Sequence, residues 1–264
     1  GQGYGFHAGK WGFLQPVADG LHLFFKEDII PATADRPLFI LAPFLIFIGM
    51  FVGIIAIPFG EAIIISDMNI GIFYILGVGS LAVIALILAG WSANNKWALY
   101  GGMRSAAQII SYEIPAGLSL IVVILLASSL SMQEIISYQS GGMFNWIIFD
   151  NPFVPIAFVV YFISAIAETN RTPFDLPESE SELVAGFATE YSGMRYAFFF
   201  LSEYANMFVV SAVAAAGFLG GWHSPIQGFM DSPAWGVFWM INKTGFLFFV
   251  WNWLRWTLPR YRGD

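Results

Sequence analysis

The sequence predicts an all-α integral membrane protein, and two observations carry this prediction. Of the 264 residues, 58% are hydrophobic and 11% are charged, and the mean hydropathy is +0.69. One water-soluble core could not bury so much apolar surface, whereas runs of about 20 apolar residues cross a bilayer as helices. The apolar runs lie at about 38–60, 70–90, 114–131, 152–167, 197–220 and 235–254. We therefore expect a single membrane domain over residues 1–264, with about six transmembrane helices.

A short amphipathic helix is expected before the first span, at residues 14–26. Polar side chains lie on some of its sides, at Asp19, His22 and Lys26. The apolar positions recur at helical spacing and are Leu14, Val17, Leu21, Phe24 and Phe25. This pattern is typical of a helix that lies in the membrane interface or against a partner protein.

Two local signals locate helix ends near the first and third spans. Asp35 is a suitable N-cap, and Pro37 suits the first turn of the helix that follows it. Glu113 precedes Pro115 at the start of the third span, and a separate short helix that carries Arg104 and Gln108 is predicted before it, over 98–111.

The distribution of basic residues predicts the orientation. Ten of the eleven lysines and arginines lie before the first span or in the second, fourth and last connections, and Lys243 alone lies inside a span. Basic residues favour the cytoplasmic side of a membrane. Both ends of the chain and the connection 168–196 should therefore face the cytoplasm of a bacterium, or the inner side of an organelle inner membrane.

The connection 168–196 concentrates charge in a chain that otherwise has little. Its ionisable residues include Glu168, Arg171, Asp175, Glu178, Glu180, Glu182, Glu190 and Arg195. Pro173 and Pro177 end any helix that arrives from the preceding span. The residues from Ser179 to Glu182 form a capping box, which predicts that a new helix begins there. We expect a structured acidic loop.

Crowded carboxylates raise one another's pKa, so this loop could take up a proton near neutral pH. The alternative is a solvated loop followed by a well-capped helix. The flanking spans favour a functional role, since they should partly bury the carboxylates. Ionisable residues within or beside spans are treated as functional candidates for the same reason, namely Glu113, Glu203 and Lys243. For Lys243, a structural role with the ammonium reaching the interface is a serious alternative.

Several classes of function are excluded. The chain has no cysteine, so it can hold neither a disulfide nor a cysteine-ligated iron–sulfur cluster. It has no P-loop and no glycine fingerprint for dinucleotides, and its three histidines do not have metal-site spacing. A net charge of −7 argues against nucleic-acid binding. Any redox centre must belong to a partner.

Five blocks of sequence, taken together, closely resemble one family, the H-type membrane subunits of NADH-quinone oxidoreductase (respiratory complex I). The blocks are QPVADGLHLFFKED (15–28), ADRPLFILAP (34–43), LAGW with ALYGGMRSAAQIISYEIP (88–115), AETNRTPFDLPESESELVAGFATEYSG (167–193) and LRWTLPRYR (254–262). They follow the family's order, and the fourth block is the most specific.

The resemblance implies a subunit that forms the quinone entrance and chamber and links quinone reduction to proton translocation. The family's row of proton-coupling carboxylates corresponds to Glu113, Glu168, Asp175, Glu178, Glu180, Glu182, Glu190 and Glu203. Its basic residues on the quinone side correspond to Arg255, Arg260 and Arg262, with Arg171 and Arg195 beside the acidic loop. Quinone is the implied substrate. The implied partners are the quinone-reducing peripheral subunits and small membrane subunits, and only partner subunits would hold flavin and iron–sulfur clusters.

The chain also departs from the family pattern. The family usually has eight spans, with one before the amphipathic helix and one after the PRYR motif, and neither is present in this sequence. The stretch GYGFHAGKWG stands where the family has a basic segment, which leaves His7 and Lys10 as positive candidates. The alternative interpretation is the homologous subunit of a membrane-bound hydrogenase or ferredoxin-linked complex. A free-standing transporter is disfavoured because the chain has no internal repeat.

Overall fold

A computed structural model describes residues 14–169, 174, 186–188 and 190–259. All regular secondary structure in these residues is helical, which confirms the all-α prediction. The α-helices are α1 Gln15–Phe25, α2 Arg36–Gly53, α3 Gly71–Gly79, α4 Leu81–Ser92, α5 Lys96–Ala127, α6 Met132–Tyr138, α7 Val154–Glu168, α8 Gly193–Phe218 and α9 Pro233–Thr257. Short 3₁₀ turns lie at Ile54–Ala56, Met143–Asn145, Ile147–Phe149 and Gly186–Ala188.

Four helical stretches are long and apolar enough to cross a membrane: Arg36–Ala56, Gly71–Ser92, Lys96–Ala127 and Gly193–Phe218. The protein is therefore an integral membrane protein, as predicted. Helix α7 is apolar but has only 15 residues. Helix α9 has 25 residues but carries polar ones, including Asn242 and Lys243. The prediction of six crossings, which makes α7 and α9 the fourth and sixth, remains a proposal.

The prediction of a separate short helix over 98–111 is wrong, because α5 is one helix of 32 residues that continues through Pro115. A proline removes one backbone donor, and a helix packed among other helices tolerates that loss. The hydroxyl of Ser119 donates to the carbonyl of Pro115 at 2.9 Å, so the chain beside the proline makes a further hydrogen bond. Helix α5 ends at Ala127, and the residue that follows, Ser128, has a positive φ of 55°.

The predicted start of the first span is only partly right. Helix α2 begins at Arg36, with Pro37 in its first turn as expected. The side chain of Asp35, however, makes no capping hydrogen bond. The backbone amide of Asp35 instead donates to the carbonyl of Ser92 at 3.0 Å, which ties the start of α2 to the end of α4.

The helices pack around two buried apolar clusters. One lies among α5, α7, α8 and α9, and the other joins α2 and α4 to the first half of α5. Glycines let α4 and α5 approach closely. A Cβ atom at Gly90 would lie 2.7 Å from the carbonyl oxygen of Ala98, and one at Gly102 would lie 2.7 Å from that of Leu86. Small residues of this kind permit tight helix contacts in membranes.

The bundle has two ends. We call the end that carries residues 26–36, 92–96 and 190–193 the loop end, because the described end of the acidic connection lies there. Connections 57–70, 128–153 and 219–232 form the opposite end. Hydrogen bonds hold the opposite end together, as between the amide of Ile72 and the carbonyl of Leu130 at 3.3 Å, and between the amide of Met143 and the carbonyl of Pro225 at 2.9 Å.

Candidate functional site

The start of the acidic connection is held by Gln108 on α5. Its side-chain nitrogen donates to the carbonyl of Ala167 at 2.6 Å and to the carbonyl of Phe174 at 2.7 Å. The ring of Phe174 also lies 5.5 Å from the ring of Tyr112, one turn further along α5. The hydroxyl of Thr169 donates back to the carbonyls of Ala165 and Ile166, which closes the last turn of α7. The last turn of α7 and Phe174 are therefore both tied to α5.

The end of the connection is held by a second set of contacts. The side-chain nitrogen of Asn95 donates to Glu190 Oε1 at 2.8 Å, while Asn95 Oδ1 accepts the amide of Trp97 at 3.0 Å. Asn95 thus caps α5 and fixes the carboxylate of Glu190 at the same time. The hydroxyl of Ser192 donates to the carbonyl of Glu27 and accepts the amide of Ile29, both at 3.3 Å.

Tyr191 is buried between two aromatic rings. It stacks on Phe39, with ring centroids 4.1 Å apart, and meets Phe199 edge-on at 4.8 Å. Its hydroxyl donates to the carbonyl of Phe39 at 3.2 Å and lies 3.4 Å from the hydroxyl of Ser92. Burial is the main reason that the pKa of Tyr191 rises to about 12, so its hydroxyl stays neutral and can donate.

Arg195 connects the start of α8 to the segment that follows α1. Its guanidinium lies 2.8 Å from the carboxylate of Asp28 and 5.9 Å from the ring centre of Phe39. The backbone approaches closely beside it. Gly193 has a φ of +58°, and a Cβ atom there would lie 3.1 Å from the carbonyl oxygen of Lys26. Arg195 therefore has a structural partner at the loop end.

Glu113 and Glu168 are the carboxylates that the structure brings toward the middle of the bundle. Ser80 lies at the break between α3 and α4, and its hydroxyl oxygen is 3.0 Å from Glu113 Oε1 and 3.2 Å from the carbonyl of Leu76, so its one hydrogen can be donated to either. Glu168 lies at the end of α7, within electrostatic reach of both Glu113 and Tyr161. The break in the second span therefore supplies a hydroxyl to a carboxylate on α5.

A cavity of about 40 Å³ lies beside Glu168. Its polar lining residues include Glu168, Tyr161 and Asn206, and its other walls are apolar side chains and glycines from α2, α3, α5 and α8. The hydroxyl of Tyr161 donates to the carbonyl of Val210 at 3.0 Å. A cavity needs about 10–15 Å³ to hold a water, so this one has room for water that the polar groups could bind.

Glu203 lies on α8 and is half-buried. Asn206, on the next turn of α8, lines the cavity beside Glu168. Tyr204 accepts a hydrogen bond from Arg255 Nη1 at 3.5 Å. Arg255 is in the last turn of α9, so the end of α9 that points toward the loop end contacts the middle of α8.

Lys243 does not belong to this site. Its ammonium group donates to the carbonyls of Gly221 and His223 at 3.0 and 2.7 Å and lies 4.1 Å from the ring centre of Trp146. These residues lie at the opposite end of the bundle. The contacts favour the structural alternative for Lys243, since backbone carbonyls satisfy the buried ammonium.

The structure leaves part of the predicted site untested. Outside the described residues lie His7, Lys10, Arg171, Asp175, Glu178, Glu180, Glu182, Arg260 and Arg262, together with the predicted capping box. Within the described part of the chain, Gly186–Ala188 forms a 3₁₀ turn that packs against α5 and α4. No group of three or more possible metal ligands occurs among the described residues.

Sequence reasoning missed four polar residues that organise the site. Ser80, Asn95, Gln108 and Tyr161 are uncharged and lie in or beside helices, so neither charge nor a motif distinguishes them. Of these four residues, only Asn95 could have been identified from the sequence, because an asparagine just before a helical run is a common N-cap.

Comparison with known proteins decides the family. The sequence model described as NADH dehydrogenase matches residues 4–264. This chain belongs to that family. It is 52% identical to the H-type subunit of the NADH-quinone oxidoreductase of Chlorobaculum tepidum, over 97% of this chain and 74% of that protein. It is 49% identical to an H-type subunit from Geobacter sulfurreducens and 50% identical to the one from Rickettsia rickettsii, over 97% of this chain in each case and 76% and 74% of those proteins. The resemblance found in the sequence, and with it the prediction of an oxidoreductase subunit, is confirmed.

Proposed function

We propose that this chain couples the reduction of quinone to proton translocation within an NADH-quinone oxidoreductase. The observation that carries the proposal is the placement of Glu113 and Glu168, two carboxylates from different helices that lie within electrostatic reach of each other in the interior of the bundle, where Glu168 also lines a small cavity. Ionisable residues inside a membrane are costly and are commonly functional. The names of the relatives supply the class of reaction.

The pair has the chemistry needed for a proton relay. Charges interact strongly where the dielectric constant is low, so a change of charge at one carboxylate alters the proton affinity of the other. Waters in the cavity could carry a proton between Glu168 and neighbouring polar groups. The Ser80 hydroxyl can donate to Glu113 when that carboxylate is ionised and can rotate when it is protonated.

The acidic connection would continue this relay toward the quinone. Glu190 is held at its far end by Asn95, and Glu203 lies on the helix that follows. We assign the remaining stations to the predicted carboxylates Asp175, Glu178, Glu180 and Glu182. Charge taken up during quinone reduction would then reach the pair in the bundle through the connection.

The quinone would enter at the loop end. Helix α1 carries large apolar side chains that are more than half exposed, including Phe24 and Phe25, which suits a helix at the membrane interface. Arg255 lies at the same end. We assign Arg255, Arg260 and Arg262, with Arg171 and Arg195 beside the acidic loop, to the quinone side. The quinone-reducing peripheral subunits would dock on this end and would hold the flavin and iron–sulfur clusters.

The test replaces each carboxylate of the pair by glutamine, which keeps the size and removes the titrating charge. Glu168→Gln and Glu113→Gln should assemble and should retain electron transfer to a water-soluble acceptor. They should lose quinone-linked turnover and the proton gradient. Glu61→Gln, an exposed carboxylate at the opposite end, is the matched control. The proposal fails if both variants assemble and pump the normal number of protons per electron.

The alternative is a hydrogenase or ferredoxin-linked complex. Each of the three relatives named above is a subunit of an NADH-quinone oxidoreductase, which favours the quinone reductase. Purification of the chain with its neighbours separates the two, because a nickel-containing partner would support the hydrogenase and a flavin-containing partner would support the quinone reductase.

A further inference from the structure

We propose that Gln108 is a positioning residue, which holds Glu168 and the start of the acidic connection in the arrangement that proton coupling requires. This inference rests on the proposed function. It concerns an uncharged side chain that belongs to neither the carboxylates nor the quinone-side arginines.

The Gln108 side chain bridges the end of α7 and the acidic connection. The carboxamide nitrogen of Gln108 carries two hydrogens, and it donates to two carbonyls, those of Ala167 and Phe174, at 2.6 and 2.7 Å. In the sequence, Ala167 directly precedes residues 168–173 and Phe174 directly follows them. The Gln108 side chain therefore holds both the end of α7, at Ala167, and the part of the connection that contacts α5, at Phe174.

The first of these bonds also completes the end of α7. The last carbonyls of a helix have no partner within the helix, and Ala167 is the residue before the last one in α7. Glu168 follows directly and lines the cavity. If the donors of Gln108 are removed, the last turn of α7 loses the contact that sets the direction of the Glu168 side chain.

The second bond links the same point to the connection. Phe174 is held twice by α5, through its carbonyl by Gln108 and through its ring by Tyr112. A displacement of the connection would therefore pull on Gln108, and Gln108 contacts the residue before Glu168. This provides a short mechanical path, from the Phe174 carbonyl through the Gln108 side chain to the peptide that joins Ala167 and Glu168.

The electrostatic surroundings explain why position matters here. The elements packed against α7 carry Glu113 and Arg104 on α5 and Glu203 on α8, and Tyr161 lies on α7 itself. The electrostatic potential at the Glu168 carboxylate depends on its distances from these groups, because the energy of interaction between charges falls with distance. A shift of Glu168 should alter the pH dependence of coupled turnover, whereas a loss of packing alone should not.

The experiment uses the assembled complex in its membrane. Gln108→Leu removes both donors at similar volume, and Gln108→Glu replaces the donating nitrogen by an oxygen that repels the two carbonyls. The control is Gln133→Leu, the same change at the opposite end, where the side chain makes one long contact of 3.5 Å to the carbonyl of Glu61. Readouts are the amount of complex, electron transfer to a water-soluble acceptor, quinone-linked turnover and the pH profile of that turnover.

Gln108→Leu should assemble and keep the water-soluble reaction within about twofold, while quinone-linked turnover falls about tenfold to a hundredfold, the loss expected from a displacement near 1 Å. Its pH optimum should move, and Gln133→Leu should match the wild type. Because Glu168→Gln should already lose quinone-linked turnover, adding Gln108→Leu to that variant should cause no further loss.

Three outcomes separate the hypotheses. If Gln108→Leu only lowers the amount of complex, and each complex keeps normal turnover and pH dependence, the positioning role is wrong. If Glu168→Gln loses coupling while Gln108→Leu behaves as the wild type, the positioning role alone is overturned. If Glu168→Gln itself keeps full coupling, the proposed function fails, irrespective of Gln108.

Discussion

The ring of Tyr191 lies parallel to the ring of Phe39, with an angle of 2° between their planes, and the Tyr191 hydroxyl donates to the backbone carbonyl of the same phenylalanine. One residue of the acidic connection thus contacts one residue of α2 through both its ring and its hydroxyl. Because Tyr191 is separated from the start of α8 by a single residue, this pairing fixes where the connection ends.

Substitutions at Tyr191 should separate the contribution of the ring from that of the hydroxyl. Tyr191→Phe should lower the stability of the assembled subunit by about 1 kcal/mol, the usual net value of a lost hydrogen bond. Tyr191→Ala should cost about 3–5 kcal/mol, because it also empties an aromatic site in the core. The measurements are the thermal unfolding of the purified complex and protease cleavage of the connection. Tyr138→Phe, an exposed tyrosine at the opposite end, is the control. Equal effects of the two Tyr191 variants would contradict the role of the ring.

The fold was predictable where apolar composition alone determines it, and the site was predictable where its residues are charged. Long apolar runs correctly indicated the membrane class. The break at Ser80 and the continuous α5 were not predictable. Whether a serine or a proline interrupts a membrane helix depends on the contacts that neighbouring helices make with it. The pairing of Asn95 with Glu190, and of Gln108 with Ala167 and Phe174, joins residues more than 50 positions apart. No local sequence pattern predicts a contact between residues so far apart in the chain.

Gln139 should be among the most sensitive polar residues at the opposite end. It is fully buried, and its nitrogen donates to the carbonyls of Ala216 and Ile135 at 2.8 and 3.2 Å. Its oxygen accepts the amides of Gly220 and Ile147 at 2.9 and 3.2 Å. A buried backbone group that loses its partner costs about 1–3 kcal/mol.

Gln139→Leu should therefore destabilise the subunit by at least about 3 kcal/mol, since several backbone groups lose this partner together. Thermal unfolding of the purified complex measures the loss. Gln133→Leu, the same change at a weakly bonded position six residues earlier, should stay within about 0.5 kcal/mol of the wild type. Similar stabilities of the two variants would contradict the importance of the buried amide.

His223 should make the opposite end sensitive to acid. Burial is the largest cause that lowers its pKa below 6.5, and the charge of Lys243 acts in the same direction, whereas the carbonyl of Ile136, Asp231 and Glu61 oppose the shift. The unfolded chain would therefore take up a proton near pH 6.5, at a pH where the folded chain does not. The stability that the neutral ring contributes is present above pH 6.5 and is lost as the pH falls below it.

The comparison is between the wild type and His223→Gln, which keeps a donor for the carbonyl of Ile136, 2.8 Å from His223 Nε2. Unfolding temperatures measured from about pH 8 down to about pH 5, the range in which histidine titrates, should fall more steeply for the wild type. His22→Gln, at an exposed position on α1, should follow the wild type. Parallel curves for all three proteins would rule out His223 as the source of the pH dependence.

Arg255 provides a test of the quinone side. Its guanidinium lies beside Tyr204 and, at 6.0 Å, beside the ring of Trp256 at the end of α9. Arg255→Ala should raise the apparent KM for quinone several-fold and leave electron transfer to a water-soluble acceptor nearly intact, because under the proposed function only the quinone reaction would use this surface. Arg36→Ala removes an exposed arginine at the same end and should have neither effect. A parallel loss of both reactions in Arg255→Ala would indicate defective assembly instead.

The orientation can be tested without background labelling from this chain, because the chain contains no cysteine. Asn94 is exposed between α4 and α5 at the loop end, and Asn151 is exposed between α6 and α7 at the opposite end. If the basic residues mark the cytoplasmic side, Asn94→Cys should react with a membrane-impermeant thiol reagent only in inside-out vesicles. Asn151→Cys should react only in right-side-out vesicles. A third variant, Ser232→Cys, should behave like Asn151→Cys if α7 and α8 both cross the membrane, because two crossings return the chain to the same face. Labelling of Asn94→Cys and Asn151→Cys from the same face would refute the proposed topology.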